Sequence, residues 1–180
     1  SFVLYFYLYF YLYFYFYFKK MKAYIALGSN LNKPVLQIKQ AIDLLTNHPD
    51  FSMIKVSSLY QSHALTLPGT SSQSDYINAV LLLETELSAE NLLSILQDIE
   101  NQQGRVRGEK WSSRTLDLDI LLYGDSITNT KQLIIPHPEM CKRNFVLIPL
   151  VEVSPTLTIP NNGLISDLLE NISLNGIKKL

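Results

Sequence analysis

The sequence predicts an α+β domain of ferredoxin-like type, an antiparallel sheet with helices packed on its faces. Three observations predict it. Apolar residues recur at helical spacing in two separate segments. Short apolar runs bounded by turn residues lie around those segments and read as strands. The resulting order is strand, helix, strand, strand, helix, strand and then a tail, which is the split βαβ plan.

Each element has its own signal. Lys22 to Leu27 is a short apolar strand, and Gly28-Ser29-Asn30 is expected to break it with a tight turn. Asn32 can cap a helix and Pro34 fits inside its first turn, so a helix is expected from Pro34 to about Thr46. Its buried stripe would be Val35, Ile38, Ala41, Ile42 and Leu45, and Asn47-His48-Pro49-Asp50 ends it. Phe51 to Tyr60 reads as one strand, Gln61 to Ser74 as a mobile surface loop, and Asp75 to Glu86 as a second long strand. Ser88 opens a helix that runs to about Gly104, with Leu92, Leu93, Leu96 and Ile99 as its stripe. A polar loop, Arg105 to Ser113, leads into the strand Leu116 to Tyr123, which Gly124-Asp125 turns. Pro136-His137-Pro138 is rigid and extended. A short helix beginning near Phe145, turns, an edge strand and a last short helix over Leu164 to Leu169 complete the chain.

At 180 residues the length suits one domain, placed over residues 21–180. The first twenty residues stand apart. Ser1 to Phe18 holds thirteen of the chain's Phe and Tyr residues and no charge. A membrane span needs roughly 17–25 apolar residues and keeps tyrosine at its interfaces, whereas tyrosine here recurs throughout. A secretory signal has its basic residues before the apolar run; Lys19 and Lys20 follow it. The segment is therefore taken as a low-complexity aromatic extension outside the fold, with a membrane anchor as the alternative. Cys141 is the only cysteine, so no internal disulfide forms, and a reducing cytoplasm is the simplest home.

The formal net charge of −1 points to neither nucleic acid nor an anionic membrane, but the distribution is uneven. All four arginines, Arg105, Arg107, Arg114 and Arg143, fall in one stretch of the second half. Between them lies Thr115-Leu116-Asp117-Leu118-Asp119-Ile120-Leu121-Leu122. Strand side chains alternate, so Asp117 and Asp119 share one face while Leu116, Leu118, Ile120 and Leu122 share the other, the core face. Taken alone, Asp-x-Asp is more often a solvated strand face. Two carboxylates this close repel, and a divalent cation removes the conflict; magnesium takes one or two carboxylates plus substrate phosphates. With arginines around them, the pair suits a metal-bound polyphosphate. No Walker loop is present, and Gly28-Ser29-Asn30 is better taken as a strand-to-helix turn than as a phosphate cradle. His48 reads as structural, His63 is uninformative, and His137 between its prolines is a candidate ligand contact. Trp111, alone in a polar loop, could be core or could close over a flat ring.

Taken together these motifs resemble the 6-hydroxymethyl-7,8-dihydropterin pyrophosphokinase family. The resemblance covers nearly all of Met21 to Leu180 and none of the first twenty residues. It rests on AYIALGSNL, DYINAV, QQGRVR, W-x-x-RTLDLDILLYG and PHPEM-x-x-RNFVLIPL, with RTLDLDI as the family's signature run. It implies transfer of pyrophosphate from ATP to the hydroxymethyl arm of a dihydropterin, giving AMP, in folate synthesis. Asp117 and Asp119 would bind two magnesium ions. Arg105, Arg114 and Arg143 would hold the polyphosphate, with Arg107 nearby. Gln97, Glu100, Trp111 and His137 would serve the nucleotide. Tyr76 and Phe145 would sandwich the pterin, Asn78 would bond its edge, and backbone groups of the segment from Ser62 to Leu65 would read that edge. Asp117, Asp119, Arg105 and Arg114 are the catalytic group on this resemblance, and Asp117→Ala is expected to abolish turnover with little loss of stability.

Some positions depart from the family's pattern. The loop after Arg107 is one residue shorter, Gly108 stands where a basic residue is frequent, with Lys110 close by, and Pro138 replaces a common aromatic. Ser-His-Ala replaces a threonine- and proline-containing stretch in the 61–74 loop. These bear on the nucleotide loop and ATP affinity. The partners expected are ATP and the dihydropterin, with no nucleic acid and no stable membrane partner, and the chain is expected to be a monomer. A ferredoxin-like nucleic-acid module would need a basic, aromatic sheet face, where this sequence places Asp117 and Asp119. An inactive or membrane-anchored homologue is the other alternative, and the presence of every proposed metal and phosphate residue argues against inactivity.

Overall fold

The computed structural model describes residues 5–7, 9, 20–64, 73–105 and 114–180. Its main sheet uses β1 (Met21–Ser29), β2 (Phe51–Val56), β3 (Tyr60–Ser62), β4 (Tyr76–Thr85), β5 (Asp117–Tyr123) and β10 (Ile177–Lys179). Between them run α1 (Pro34–Thr46), α2 (Ala89–Gln102), the short hairpin strands β6 (Thr128–Asn129) and β7 (Ile134–Ile135), a 3-10 turn (Met140–Lys142) and α3 (Asn144–Val153). A second hairpin, β8 (Thr158–Ile159) with β9 (Gly163–Leu164), and α4 (Ile165–Glu170) precede β10. The sheet order is β10-β3-β4-β1-β5, with β2 also paired to β4, and every pairing is antiparallel. Apart from the added β10, this is the split βαβ arrangement that the element order predicted.

Alternation along the strands sends side chains to two separate cores. One face, with Ile25, Leu27, Ala79, Leu81, Leu118 and Ile120, packs against Ile38, Ala41 and Leu45 of α1 and Leu92, Leu96 and Ile99 of α2. On the other, Tyr24, Val80 and Leu82 meet Val146, Leu147, Leu150 and Val153 of α3 and Ile165 of α4. Helix α3 covers only part of this second face. The remainder, towards the far end of β1 and the start of β4 and β5, is left for a site.

Several expectations shift. Gly28 and Ser29 belong to β1, paired through to Ile77, so the turn falls after them rather than at Gly28. Asn32 does not cap α1. It and Lys33 both adopt positive φ, 51° and 64°, and Lys33 occupies the cap position with no side-chain bond, while Pro34 sits at the helix start as expected. The strand expected over Phe51 to Tyr60 is interrupted. Between the pairs Val56–Leu81 and Tyr60–Asn78, three residues oppose two, which is a bulge. Ser57 repairs the ladder there: its N–H donates to Val80 O (2.9 Å) and its Oγ accepts from Val80 N–H (2.9 Å). Gln61 and Ser62, expected in the loop, are strand residues of β3. Leu122 is not on the face of Leu118. The register jumps from Ile25–Ile120 to Tyr24–Leu122, so Leu121 is an extra residue, and Leu121 and Leu122 both join the second core. Helix α2 starts at its Ser88 cap, whose hydroxyl accepts from Asn91 N–H (3.2 Å). Within its stripe Leu93 is half-buried, and Glu100, expected on the nucleotide side, is buried.

Of the aromatic extension, Tyr5, Phe6, Tyr7 and Tyr9 are described as helical and exposed. Among the described residues no helix is long and apolar enough to cross a membrane. Leu96 is fully buried between α2 and the sheet. Truncating it removes packing that a rigid two-sided sheet cannot recover, so Leu96→Ala should cost about 3 kcal/mol in urea unfolding.

Candidate active site

The uncovered part of the second sheet face holds a cleft of about 490 Å³. Its floor is set by register. Gly28 lies directly between Asn78 of β4 and Asp117 of β5, and the next row in from it is Val80, Ala26 and Asp119. A Cβ at Gly28 would stand 3.7 Å from Asn78 Oδ1 and 3.9 Å from both Asp117 Cβ and Tyr76 Cδ1. The small residues of β1 therefore keep the floor low between an amide on one side and two carboxylates on the other.

The wall beyond β5 is charged. Asp117 forms an ion pair with Arg105 (Nη1–Oδ1 2.8 Å) and accepts a hydrogen bond from Arg114 (Nη1–Oδ2 2.5 Å). Arg105 also pairs closely with Glu100. Glu100 reaches from α2 to the outer edge of β5, where its Oε1 accepts the Leu118 N–H at 2.7 Å. An edge strand leaves such N–H groups unpaired, so a buried carboxylate finishes the ladder here. Burial pushes the Glu100 carboxyl up to about 7, against the pull of the Leu118 amide and Arg105. Desolvation by the cleft walls, and then the charge of Asp117, raise the Asp119 carboxyl above the usual carboxylate range, although its side chain stays 45% exposed. A cation placed between these two acids would relieve the second of those causes. Because Asp117 answers two guanidinium groups, its removal is no longer expected to be nearly neutral for stability.

His137 completes this side. Its N–H donates to Leu121 O (3.0 Å), which hooks the 136–138 segment onto β5. Nδ1 accepts from Glu139 N–H at 3.2 Å, and Nε2 lies 4.0 Å from Asp119 Oδ2. Burial, then Arg143, lower the pKa of His137. A neutral ring whose Nδ1 is an acceptor carries its proton on Nε2, facing the acids. Arg143 lies at the same cleft, its Cζ 5.9 Å from the Phe145 ring centre.

The opposite wall is uncharged. Tyr76 and Phe145 line it, with Ser62 and Asn78 between β3 and β4. Asn78 donates from Nδ2 to Ser62 Oγ (2.9 Å) and Tyr60 O (3.4 Å), which directs its Oδ1 towards the floor beside Gly28.

Of the residues singled out from sequence, Ser62, Tyr76, Asn78, Arg114, Asp117, Asp119, His137, Arg143 and Phe145 line this one cleft, and Arg105 and Glu100 back it. Gln97 lies on α2, half-buried, and does not line the cleft. Leu65, Arg107 and Trp111 fall outside the described residues, as do Gly108 and Lys110. His63, uninformative in the sequence, lines the cleft and bonds Asp75 (3.0 Å). Gly28 and Asn30 were passed over as a turn. Asn30 is buried; its Oδ1 accepts the Arg114 N–H (2.8 Å), its Nδ2 donates to Ser74 O (3.2 Å) and Gln73 Oε1 (3.4 Å), and its own N–H donates to Arg114 O (3.1 Å). Ser29 beside it donates to Thr115 O (2.5 Å). Only their place immediately after a strand, in a tight polar triplet, hinted at this in the sequence.

An acidic pair braced by arginines, next to an aromatic and amide-lined hollow on a ferredoxin-like sheet, defines an enzyme that can hold a polyanion against a flat polar partner. The profile of the 7,8-dihydro-6-hydroxymethylpterin-pyrophosphokinase family matches residues 24–155. The chain is 47% identical over 158 residues to a 2-amino-4-hydroxy-6-hydroxymethyldihydropteridine pyrophosphokinase of Haemophilus influenzae, covering 88% of this chain and 97% of that one. It is 42% identical to the protein of that name from Pseudomonas aeruginosa, covering 88% and 96%. Among solved structures, a Plasmodium falciparum HPPK-DHPS triple mutant with pteroate aligns with a TM-score of 0.68 at 15% identity, over 89% of this chain and 47% of that one. The wild-type protein with pteroate aligns at 0.65 and 15%, over 85% and 42%. This chain thus spans less than half of those longer chains, and the likeness bears on fold alone. The chain belongs to the 7,8-dihydro-6-hydroxymethylpterin-pyrophosphokinase family.

Asn30 ties Gln73 and Ser74, ahead of β4, to Arg114, ahead of β5. In Asn30→Ala the Arg114 N–H and Ser74 O lose their partners, which should lower stability by about 2 kcal/mol in thermal or urea unfolding. Turnover should fall as well, since Arg114 loses one of the two bonds that hold its backbone to Asn30.

Proposed function

We propose that this chain transfers a pyrophosphoryl group from ATP to the hydroxymethyl oxygen of 6-hydroxymethyl-7,8-dihydropterin, releasing AMP, and that its residues divide the work across the cleft. One observation carries the placement: the register that sets Asn78, Gly28 and Asp117 in a single row, with a neutral wall on one side and a charged wall on the other.

The pterin takes the neutral side. Tyr76 and Phe145 offer two aromatic faces, and flat rings stack between such faces. Asn78 Oδ1 can accept an N–H from the pterin rim, because Ser62 and Tyr60 already hold the amide's donor end. The absence of a side chain at Gly28 leaves room for the ring to lie close to the sheet. Backbone groups from Ser62 to Leu65 would read the same rim.

The triphosphate takes the charged side. Arg105, Arg114 and Arg143 supply planar donors suited to phosphate oxygens, and His137 presents Nε2–H in the same direction. Asp117 and Asp119 are the residues that would hold magnesium, and the donor set fits: hard oxygen ligands on one rigid strand, with Asp119 held above its usual range partly by its neighbour's charge. Bound there, the metal would offset the charge of the phosphates. With the polyphosphate in place, Arg105 and Arg114 exchange some of their grip on Asp117 for phosphate oxygens, while Glu100 keeps Arg105 from swinging away. Gln97, Arg107 and Trp111 are assigned to the nucleotide as well.

The transfer is then largely a matter of alignment and charge neutralisation. The hydroxymethyl oxygen attacks the β-phosphorus, its proton passes to solvent or to a nearby carboxylate, and the bond from the β-phosphorus to the AMP oxygen breaks. The chain is proposed to work as a monomer. Residues 21–180 are proposed as a single pyrophosphokinase domain, with the aromatic extension outside the fold.

The direct test is detection of AMP on mixing the protein, ATP, magnesium and the hydroxymethyl dihydropterin; AMP must appear only when all four are present. Asp117→Asn keeps the shape of the side chain and removes its charge. It should lower kcat by about a hundredfold or more and cost about 1 to 3 kcal/mol of stability through Arg105 and Arg114. Turnover at the unsubstituted rate would sink the metal assignment. Phe145→Ala should weaken pterin binding about tenfold and ATP binding by less than about twofold, as read by calorimetry with each ligand; equal losses would remove Phe145 from the pterin wall.

A further inference from the structure

We propose that the C-terminal segment 173–180 is a clamp that sets the pterin-reading edge of the cleft, and that Asn144 is the positioning residue fastening it; this rests on the pterin placement above. The sequence assigns no element to this tail after the last short helix expected over Leu164 to Leu169.

The clamp acts on β3. Strand β10 pairs Ile177 with Ser62, Lys178 with Gln61 and Lys179 with Tyr60. One residue further on, the His63 N–H donates to Gly176 O (3.3 Å), and at the other end the Leu180 N–H donates to Leu59 O (2.9 Å). Lys179 Nζ also reaches the Glu152 carboxylate of α3 at 3.4 Å. Ser62 is thereby held between two strands, with β4 on its other side. Its hydroxyl in turn receives the Nδ2–H of Asn78. The orientation of the amide proposed to read the pterin therefore depends on β10 through Ser62.

Asn144 fixes the turn that leads into β10. It is the first residue of α3, yet it spends its amide elsewhere: Nδ2 donates to Ser173 O (2.9 Å) and Asn175 O (3.0 Å). Phe145, the proposed stacking residue, is its neighbour, so the same helix start carries both the ring and the clamp's fastening. A second hollow of about 330 Å³ opens between this turn and α3 and shares Ser62, His63, Arg143 and Phe145 with the main cleft. The clamp thus backs the pterin side through Ser62 without lining the main cleft, and it does not touch Asp117 or Asp119. Gly176 has φ of +75°, and a Cβ there would come 3.3 Å from His63 Cδ2, so the joint between turn and β3 has little slack.

Asn144→Asp tests this with the smallest change in shape. A carboxylate has no proton for the two carbonyls, while a negative charge in the first turn of a helix is favourable. The variant should raise the pterin KM about tenfold, with kcat and the ATP KM within about twofold, and should speed amide exchange at His63 and Ile177. Gly176→Ala disturbs the same joint independently and should give the same selective loss, which keeps the test open if either variant fails to fold. An unchanged pterin KM in the folded variants overturns the proposal. So does an equal rise in both KM values, which would mark a merely structural role. Asn78→Ala is measured alongside: if it leaves the pterin KM untouched, the pterin placement itself is wrong and the clamp falls with it. If Asn78→Ala is impaired and Asn144→Asp is not, only the clamp fails.

Discussion

Gly28 sits between Asn78 and Asp117 in one row across three hydrogen-bonded strands, and nearly every feature of the site follows from that register. A slip of one residue in β1 would invert its side chains, sending Ala26 and Gly28 into the first core and Leu27 into the cleft. The two-sided core forbids it: Ala23, Ile25 and Leu27 are buried against α1 and α2, while Tyr24 is buried against α3. The same alternation that packs the sheet therefore aims the amide, the open floor and the two acids at one space.

The strands around this row are finished by groups from outside the ladder, two side chains and one backbone N–H, where the strand pairing stops. Glu100 accepts the Leu118 N–H on the outer edge of β5, Ser57 spans the break between β2 and β3, and His137 hooks its segment to Leu121. Each repair also serves the cleft. Glu100 restrains Arg105, the Ser57 bulge ends one strand so that β3 can begin beside Asn78, and the His137 hook turns its ring towards Asp119. Buried polar groups are costly unless paired. Here the pairing requirement itself ties the electrostatic wall to the fold.

Much of the site was legible because it lies on strands. Asp117 and Asp119 could be assigned to one face by counting residues, whereas Tyr76 and Asn78 came only with the family resemblance. The rule failed where the count changed. Leu122 was placed with Leu118, but the extra residue at Leu121 turns both onto the second core. A bulge has no sequence signal in a run of leucines. Asn30 escaped notice for a different reason. A short polar side chain after a strand ordinarily signals a turn, and nothing local says that its amide will bridge Arg114, 84 residues away, and Ser74.

By itself the sequence determined the order of elements, the two amphipathic helices, the shared face of the acids and the family, because those depend on period and local motif. Tertiary structure alone decided which strands lie side by side, how β10 returns to cover β3, and how Glu100 can be a buried charge at a strand edge. Those outcomes depend on which distant backbone groups are left without partners once the sheet has closed. That is a property of the assembled sheet, and no local stretch of chain encodes it.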